Sequence, residues 1–498
     1  MKQYVLALDQ GTTSSRAILF DQNAKMIGMA QAEVKQIIPE QGWLENDPKR
    51  LFKVLIDLIY EVVKTTKINI SQISTIGITN QRETVVVWDK NSGKPVYNAI
   101  SWQDTRTANF CDELKGSTNG SRIRKKTGLV IDPYFSASKI KWILDNVSGA
   151  RKKAENGELL CGTIDTWIIW NLTNRDSHIT DFSNASRTML FNITELTWDH
   201  DLLDLFDIPR EMLPDVTHSG YYFGDAHLNG ATIQITGVAG DQQASLFGQG
   251  CFNPGDVKNT YGTGCFILMN TGEEPQFSNN GLLTTIAWGL NGTIEYALEG
   301  SIFIAGASVQ WLRDGLKMIN SVEETEYYAN RSNRDNGVYV VPSFNGLGAP
   351  FWDMYARGGI FGLTAESTNN DIIKGTLDSM AYQTKDVLGA MVADSNLKIN
   401  TLNVDGGASV NNYLMQFQSD IMNVDVRRPK NIESTAIGAA LIAGITAGIW
   451  KKDTVISKIS VDKVFKPKMD EYTRDELYTG WHNAVKRCMN WAKVTHSV

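Results

Sequence analysis

At 498 residues the chain exceeds what one hydrophobic core normally covers, so two domains are expected. With 42% apolar and 21% charged residues and a formal net charge of −7, it reads as an ordinary globular protein without a basic surface for nucleic acid. No signal peptide or membrane span is expected, and five cysteines without metal spacing suit reduced thiols in a cytoplasmic protein.

The first third predicts alternating strand and helix. Apolar runs at 4–8 and 17–20 flank the turn Asp9-Gln10-Gly11-Thr12-Thr13-Ser14-Ser15-Arg16, and a third run follows near 26–32. Asp47 is placed as the N-cap of a helix that begins at Pro48 and continues through Val63. Residues 75–79 and 85–88 read as strands. A Gly/Pro break at 248–255 separates domains 1–250 and 251–498. Beyond it, strands at 256–259 and 265–269 flank Tyr261-Gly262-Thr263-Gly264. Strands at 292–298, 337–341 and 402–404 and helices at 305–318, 371–391 and 412–422 follow. The apolar run 436–450 is too short to span a bilayer, and its many small residues fit close helix packing. This alternation indicates an α/β architecture with mixed sheets.

Two turns share one design. Glycine permits close approach of a ligand to the backbone, successive N–H groups make an anion-binding concavity, and Thr and Ser hydroxyls add donors. Either turn alone is read as an ordinary hairpin; one in each half suggests a nucleotide phosphate held from both sides. Neither a P-loop nor a dinucleotide fingerprint is present. Asp405-Gly406-Gly407, between a strand and a helix, offers a third contact or a plain tight turn. Asp9 beside a phosphate turn calls for a divalent cation, Mg2+ being the natural one, unless it only caps the turn. Asp241 follows the apolar run 233–238, at an edge where α/β sheets gather ligands, and suits a general base or a helix N-cap. Arg82-Glu83 matches the paired donors and acceptors of a polyol, with Trp102, Tyr134 and Phe266 available to pack a carbon skeleton. Taken singly, an Arg-Glu pair is usually surface and a Trp usually core.

Together with the blocks 77–84, 184–191, 239–243, 259–266, 346–353 and 404–407, these motifs resemble the glycerol kinase family. Those carbohydrate kinases share the ATPase fold of actin, hexokinase and the heat-shock chaperones. The resemblance implies two duplicated actin/ribonuclease H-like domains, each a mixed five-stranded sheet flanked by helices, with the active site in the interdomain cleft. It implies ATP-dependent phosphorylation of glycerol to sn-glycerol 3-phosphate, with Mg2+. Carried over by position, Arg82, Glu83, Trp102, Tyr134, Asp241, Gln242 and Phe266 line the glycerol pocket. Asp9 is the magnesium-side carboxylate and Asp241 the base. Thr12, Thr13, Ser14, Arg16 and Thr263 lie at phosphate, and Gly306, Gln310, Gly407 and Asn411 at ATP. A homodimer or homotetramer is implied.

Two regulatory features of the family bear on the stretch 225–233. It lacks the arginine with which some relatives bind fructose 1,6-bisphosphate, so that inhibition is not expected. It is placed as a loop in which His227 aligns with a histidine phosphorylated by the phosphocarrier protein of the sugar phosphotransferase system, although the family's aromatic flanks are missing. Within the same fold the alternatives are a kinase for another sugar or polyol, or a non-catalytic ATP-driven binding protein.

Overall fold

Three parallel strands of the first half end in one row, and that row organises the molecule. The computed structural model describes residues 3–332, 337–430, 433–456 and 460–494. Strands β1 (Tyr4–Gln10), β2 (Ser14–Phe20), β3 (Met26–Glu33), β4 (Ile73–Asn80), β5 (Gly224–Leu228) and β6 (Ala231–Gly240) form one sheet in the order β5-β6-β4-β1-β2-β3. β1, β4 and β6 run parallel, while β2, β3 and β5 are antiparallel additions. Nearly every residue of β1 and β4 is buried, as expected where helices cover both faces. Helix α1 (Pro48–Thr66) begins where expected: the Asp47 carboxylate accepts the N–H groups of Lys49 and Arg50, and Leu51, Leu55, Leu58, Ile59 and Val62 form its buried stripe.

The second half repeats the pattern. β7 (Val257–Tyr261), β8 (Cys265–Gly272), β9 (Leu283–Leu290), β10 (Thr293–Ile302), β11 (Thr401–Asp405), β12 (Asp425–Pro429) and β13 (Val461–Phe465) lie in the order β9-β10-β8-β7-β11-β12-β13. Its middle, β10-β8-β7-β11-β12, has the order and directions of β3-β2-β1-β4-β6. The duplicated α/β fold is therefore present, but with six and seven strands instead of five. The extra strands are hairpin partners and an edge. β5 joins β6 through Asn229-Gly230, and β9 joins β10 through Asn291-Gly292, all four residues at positive φ. Asn-Gly favours this two-residue hairpin, so both turns carried a usable signal. The stretch 225–233 is consequently an edge hairpin and not a loop.

Helices α2 (Asp241–Gly248), α3 (Gly306–Asp314), α4 (Asn369–Ser395), α5 (Asn412–Met422) and α6 (Ser434–Thr446) complete the parts used below. α3 is shorter than the expected 305–318, since the chain turns at Gly315, whose N–H bonds back to the Trp311 carbonyl. α6 is the small-residue run, and it lies on β1, β4, β6 and α2. Contact is close: a Cβ on Gly77 would lie 2.2 Å from the Ala439 oxygen, one on Gly237 2.5 Å from the Ala443 nitrogen, and one on Gly438 1.8 Å from the Ala244 oxygen. Among the described residues no helix is long and apolar enough to cross a membrane.

Gly438→Ala should therefore destabilise the protein by about 1–3 kcal/mol, read as a lower urea midpoint, because the opposing atom is backbone and cannot rotate away. Gly389→Ala in α4, where nothing lies within 4 Å of the added methyl, should instead be neutral or stabilising by up to about 1 kcal/mol.

Candidate active site

Gln10 pairs with Asn80, and Asn80 with Gly240, so the chain leaves β1, β4 and β6 at one level. The segments emerging there are the Gly11–Ser14 turn, Gln81-Arg82-Glu83 and Asp241. In the second half Thr260 of β7 pairs with Asp405 of β11, which sets the Thr263 turn beside Gly406-Gly407. The N-terminus of α3 seats the Thr263 turn: Ala305 and Ala307 N–H groups donate to the Thr263 carbonyl at 2.9 and 3.1 Å, and Gly306 N–H to Gly262 at 3.0 Å. A Cβ at Gly306 would sit 2.6 Å from the Gly262 oxygen, so glycine is what lets the two segments meet.

The expected polyol residues converge. Arg82 Nε is 3.3 Å from Asp241 Oδ1, and its Nη2 donates to the Tyr134 hydroxyl at 3.3 Å. The Trp102 ring meets Tyr134 edge-on at 5.4 Å and Phe266 at 6.1 Å. Gln242 N–H donates to Asp241 Oδ1 at 2.7 Å, and the Gln242 side-chain oxygen accepts from Lys258 Nζ. Trp102 Nε1 donates to Thr12 Oγ1 at 2.9 Å, tying this group to the Gly11–Ser14 turn. Glu83 holds φ +60, a left-handed conformation that costs a non-glycine residue about 1–3 kcal/mol and persists because its surroundings fix it.

Beneath this pocket lies a cluster of four buried charges. Arg82 grips Glu299 with both terminal nitrogens, at 2.5 and 2.9 Å. Arg187 donates to Glu299 at 2.9 Å and to Glu83 at 2.6 Å. All four side chains are at most 2% exposed. Two cations and two anions neutralise one another, which alone makes such burial tolerable. Burial pushes the Glu299 carboxyl up, but the Arg187 and Arg82 guanidiniums outweigh it and hold the pKa down at about 2. Asp241 differs: 27% of its side chain is exposed, and burial, opposed by Arg82 and Lys258, raises its pKa above the usual carboxylate range. A partly exposed carboxylate of raised affinity for protons suits proton abstraction from a hydroxyl.

Beside the Gly11–Ser14 turn, Asp9 is 4% exposed, and Arg16 bridges it at 3.1 Å to Glu433 at 3.2 Å. Burial raises the Asp9 pKa to about 6, against the pull of Arg16 and with the help of Asp241 and Glu433. Such an under-compensated carboxylate fits a hard cation. Among the described residues no three acidic, His or Cys side chains could together hold a metal ion. Thr13 and Thr263 are exposed, and Ser14 is half-buried with its carbonyl accepting from Gly11 N–H at 2.9 Å. Gln310 and Gly407 are exposed, on α3 and after β11 respectively. Asn411 caps α5, accepting from Leu414 N–H at 3.0 Å. The Gly406 corner packs against the Tyr261 backbone, so the second-half turns form one surface.

Residues 4–248 match the N-terminal domain of the FGGY family of carbohydrate kinases, and residues 257–447 its C-terminal domain. The chain belongs to this family.

The FGGY chain is 59% identical to the glycerol kinase of Thermoanaerobacter pseudethanolicus over 99% of its length and 100% of that protein. It is 58% identical to the glycerol kinase of Carboxydothermus hydrogenoformans over 98% and 99% of the two chains. Among solved structures, Plasmodium falciparum glycerol kinase with ADP superposes with a TM-score of 0.93, at 37% identity over 97% of this chain and 98% of that one. Gluconate kinase from Lactobacillus acidophilus shares the fold, with a TM-score of 0.86 at 21% identity over 99% and 98% of the two chains.

Sequence reasoning missed several side chains of this FGGY kinase's site. Glu299, Lys258 and Glu433 come from distant strands and loops with no local motif, and only pairing in space reveals them. Arg187 lies in a block that carries the resemblance, but nothing local assigns it a partner. His227 stands apart: it is exposed on β5 and pairs with Thr232, eight residues before Gly240 on β6, roughly 25 Å along the strand from the site.

Asp9 yields a pH prediction. Its folded pKa lies above the unfolded 3.8, so the cost of ionising it is absent below pH 4 and complete above the folded value of about 6. Asp9→Asn should therefore melt above wild type at pH 8 in metal-free buffer, by up to about 3 kcal/mol, with the gap closing below pH 4. A variant melting below wild type at pH 8 would mean that the Arg16 pair outweighs burial.

Proposed function

We propose that this protein transfers the γ-phosphoryl group of ATP to glycerol, giving sn-glycerol 3-phosphate and ADP. The observation that carries this reading is the bond from Trp102 to Thr12. It joins a compact pocket of paired charges and aromatic edges to a phosphate turn, so a small polyol and a nucleotide phosphate would meet there. The full-length relatives named glycerol kinase support it, as does the likeness to the Plasmodium glycerol kinase solved with ADP. The gluconate and xylulose kinase structures, at 21% identity, share the fold alone.

In this reading Arg82, Glu83 and Tyr134 bind the glycerol hydroxyls, while Trp102 and Phe266 pack its carbons. Asp241, held by Arg82 and the Gln242 N–H, takes the proton of the attacking hydroxyl. That oxygen bonds to the γ-phosphorus, and the bond to the β–γ bridging oxygen breaks with its electron pair leaving on ADP. The Thr12–Ser14 and Thr263 turns hold phosphate from opposite halves, and Gly306, Gln310, Gly407 and Asn411 face ATP. Asp9 would hold Mg2+, which when bound neutralises developing phosphate charge. The lobes are assigned as 1–250 and 251–498, meeting across the site.

The five cysteines, all buried and unpaired, support a cytoplasmic setting. A homodimer or homotetramer is the expected assembly. For His227, exposure on an edge strand supports phosphoryl acceptance from the phosphocarrier protein of the sugar phosphotransferase system. Incubation with the phosphorylated carrier should label His227 and not a His227→Ala variant; absence of label ends that assignment.

The central test is ADP formation with and without glycerol, with xylulose and gluconate as competing acceptors. Glycerol should be required and preferred, and glycerol-independent hydrolysis would favour an ATP-driven binding protein. Asp241→Asn should lower kcat at least about 10³-fold while ATP still binds; turnover near wild type would remove Asp241 from the base role.

A further inference from the structure

Asp181 lies outside the pocket, fully buried at the end of the short strand Ile179–Asp181. Four donors converge on its carboxylate. Oδ2 accepts the Ser183 N–H at 3.0 Å and the Ser219 hydroxyl at 2.7 Å. Oδ1 accepts the Asn184 N–H at 3.0 Å and the Asn184 side-chain amide at 2.9 Å. Two of these partners reach the site's strand ends. Ser183 Oγ accepts the Gly240 N–H at 2.9 Å, directly before Asp241. Asn184 Oδ1 accepts from Asn80 Nδ2 at 3.0 Å, and the same amide donates to the Gln81 carbonyl at 3.0 Å, directly before Arg82-Glu83.

Asn80 and Gly240 are register partners on neighbouring strands, so one carboxylate holds two adjacent exits of the sheet. We propose that Asp181 is a positioning residue that aligns the transfer base and the glycerol clamp with each other. Through Ser183 it fixes the Gly240-Asp241 corner, and through Asn184 and Asn80 the Gln81–Glu83 corner. The simpler role is that of an N-cap for the four-residue helix Phe182–Ala185. That role affects folding but has no reason to split substrate binding from turnover. Displacement of a reacting group by about 1 Å costs on the order of 10²-fold in rate, so small losses of alignment are measurable.

The inference rests on the glycerol kinase reading, and the experiment separates the two. Full-length wild type, Ser183→Ala, Asn184→Leu and Asp181→Asn are compared by ADP formation at saturating ATP with varied glycerol, alongside ATP affinity and Tm. Ser183→Ala, which removes only the Gly240 acceptor, should lower kcat about 10-fold with glycerol KM within about 2-fold. Asn184→Leu should raise glycerol KM about 10-fold with a smaller change in kcat. Asp181→Asn should do both and lower kcat/KM about 100-fold, with ATP affinity unchanged. The positioning role is overturned if Ser183→Ala and Asn184→Leu shift the same parameter. It is equally overturned if both follow the loss of Tm and ATP affinity, or if folded variants keep wild-type kinetics. Wild type without glycerol-dependent ADP formation would sink the activity reading, and this role with it.

Discussion

Ala7, Gly77 and Gly237 form one row across β1, β4 and β6, and three residues further along each strand Gln10, Asn80 and Gly240 form another. The first row lies under α6, where Gly77 and Gly237 leave no room for a side chain. The second row releases the segments of the candidate active site. One register therefore serves two purposes: it seats the helix from the second half and brings Asp9, Arg82 and Asp241 to a common edge. A slip by one residue would turn side chains to the opposite face and break both arrangements. The carboxyl edges of parallel strands are where open α/β sheets generally gather ligands, and this row is such an edge.

The two halves share a strand–turn–strand device but use it differently. In the first half the turn stands beside Asp9 and Arg16, a carboxylate and guanidinium pair that leaves charge for a cation to neutralise. In the second half the corresponding turn has a helix N-terminus behind its carbonyls. One turn is therefore flanked by charged side chains and the other by backbone N–H groups that its own carbonyls accept. The duplicated fold is thus symmetric in its strands but not in the charge around its two turns.

Much of this was legible in the sequence, for identifiable reasons. Strands β1, β4 and β7, the Asp47 cap and α5 depend on local apolar runs and caps, and they fall where expected within a few residues. Arg82, Glu83, Trp102, Tyr134, Asp241, Gln242 and Phe266 were assigned by motif, and side-chain contacts link them as one group. What escaped was set by pairing over long separations. β9 is buried throughout and lacks alternation, so only its Asn-Gly turn marks it, whereas the hairpin of β5 with β6 does alternate and also carries an Asn-Gly turn, a signal the loop assignment overlooks. Glu299 is one of two acidic residues in its strand, with no cue that two arginines more than a hundred residues earlier await it.

That last separation has a consequence for how the protein is made. Arg82 and Arg187 are synthesised well before Glu299, and the carboxylate Glu83 cannot balance both. A chain still emerging from the ribosome must therefore keep these guanidiniums hydrated, and the floor of the pocket stays open until β10 arrives. The first half can lay down its sheet early, whereas the surface around Arg82 and Arg187 matures only once the second half supplies Glu299. A fragment ending between the halves would keep Glu83 and Asp241 beside the arginines but would leave the terminal nitrogens of Arg82 and Arg187 without the Glu299 carboxylate.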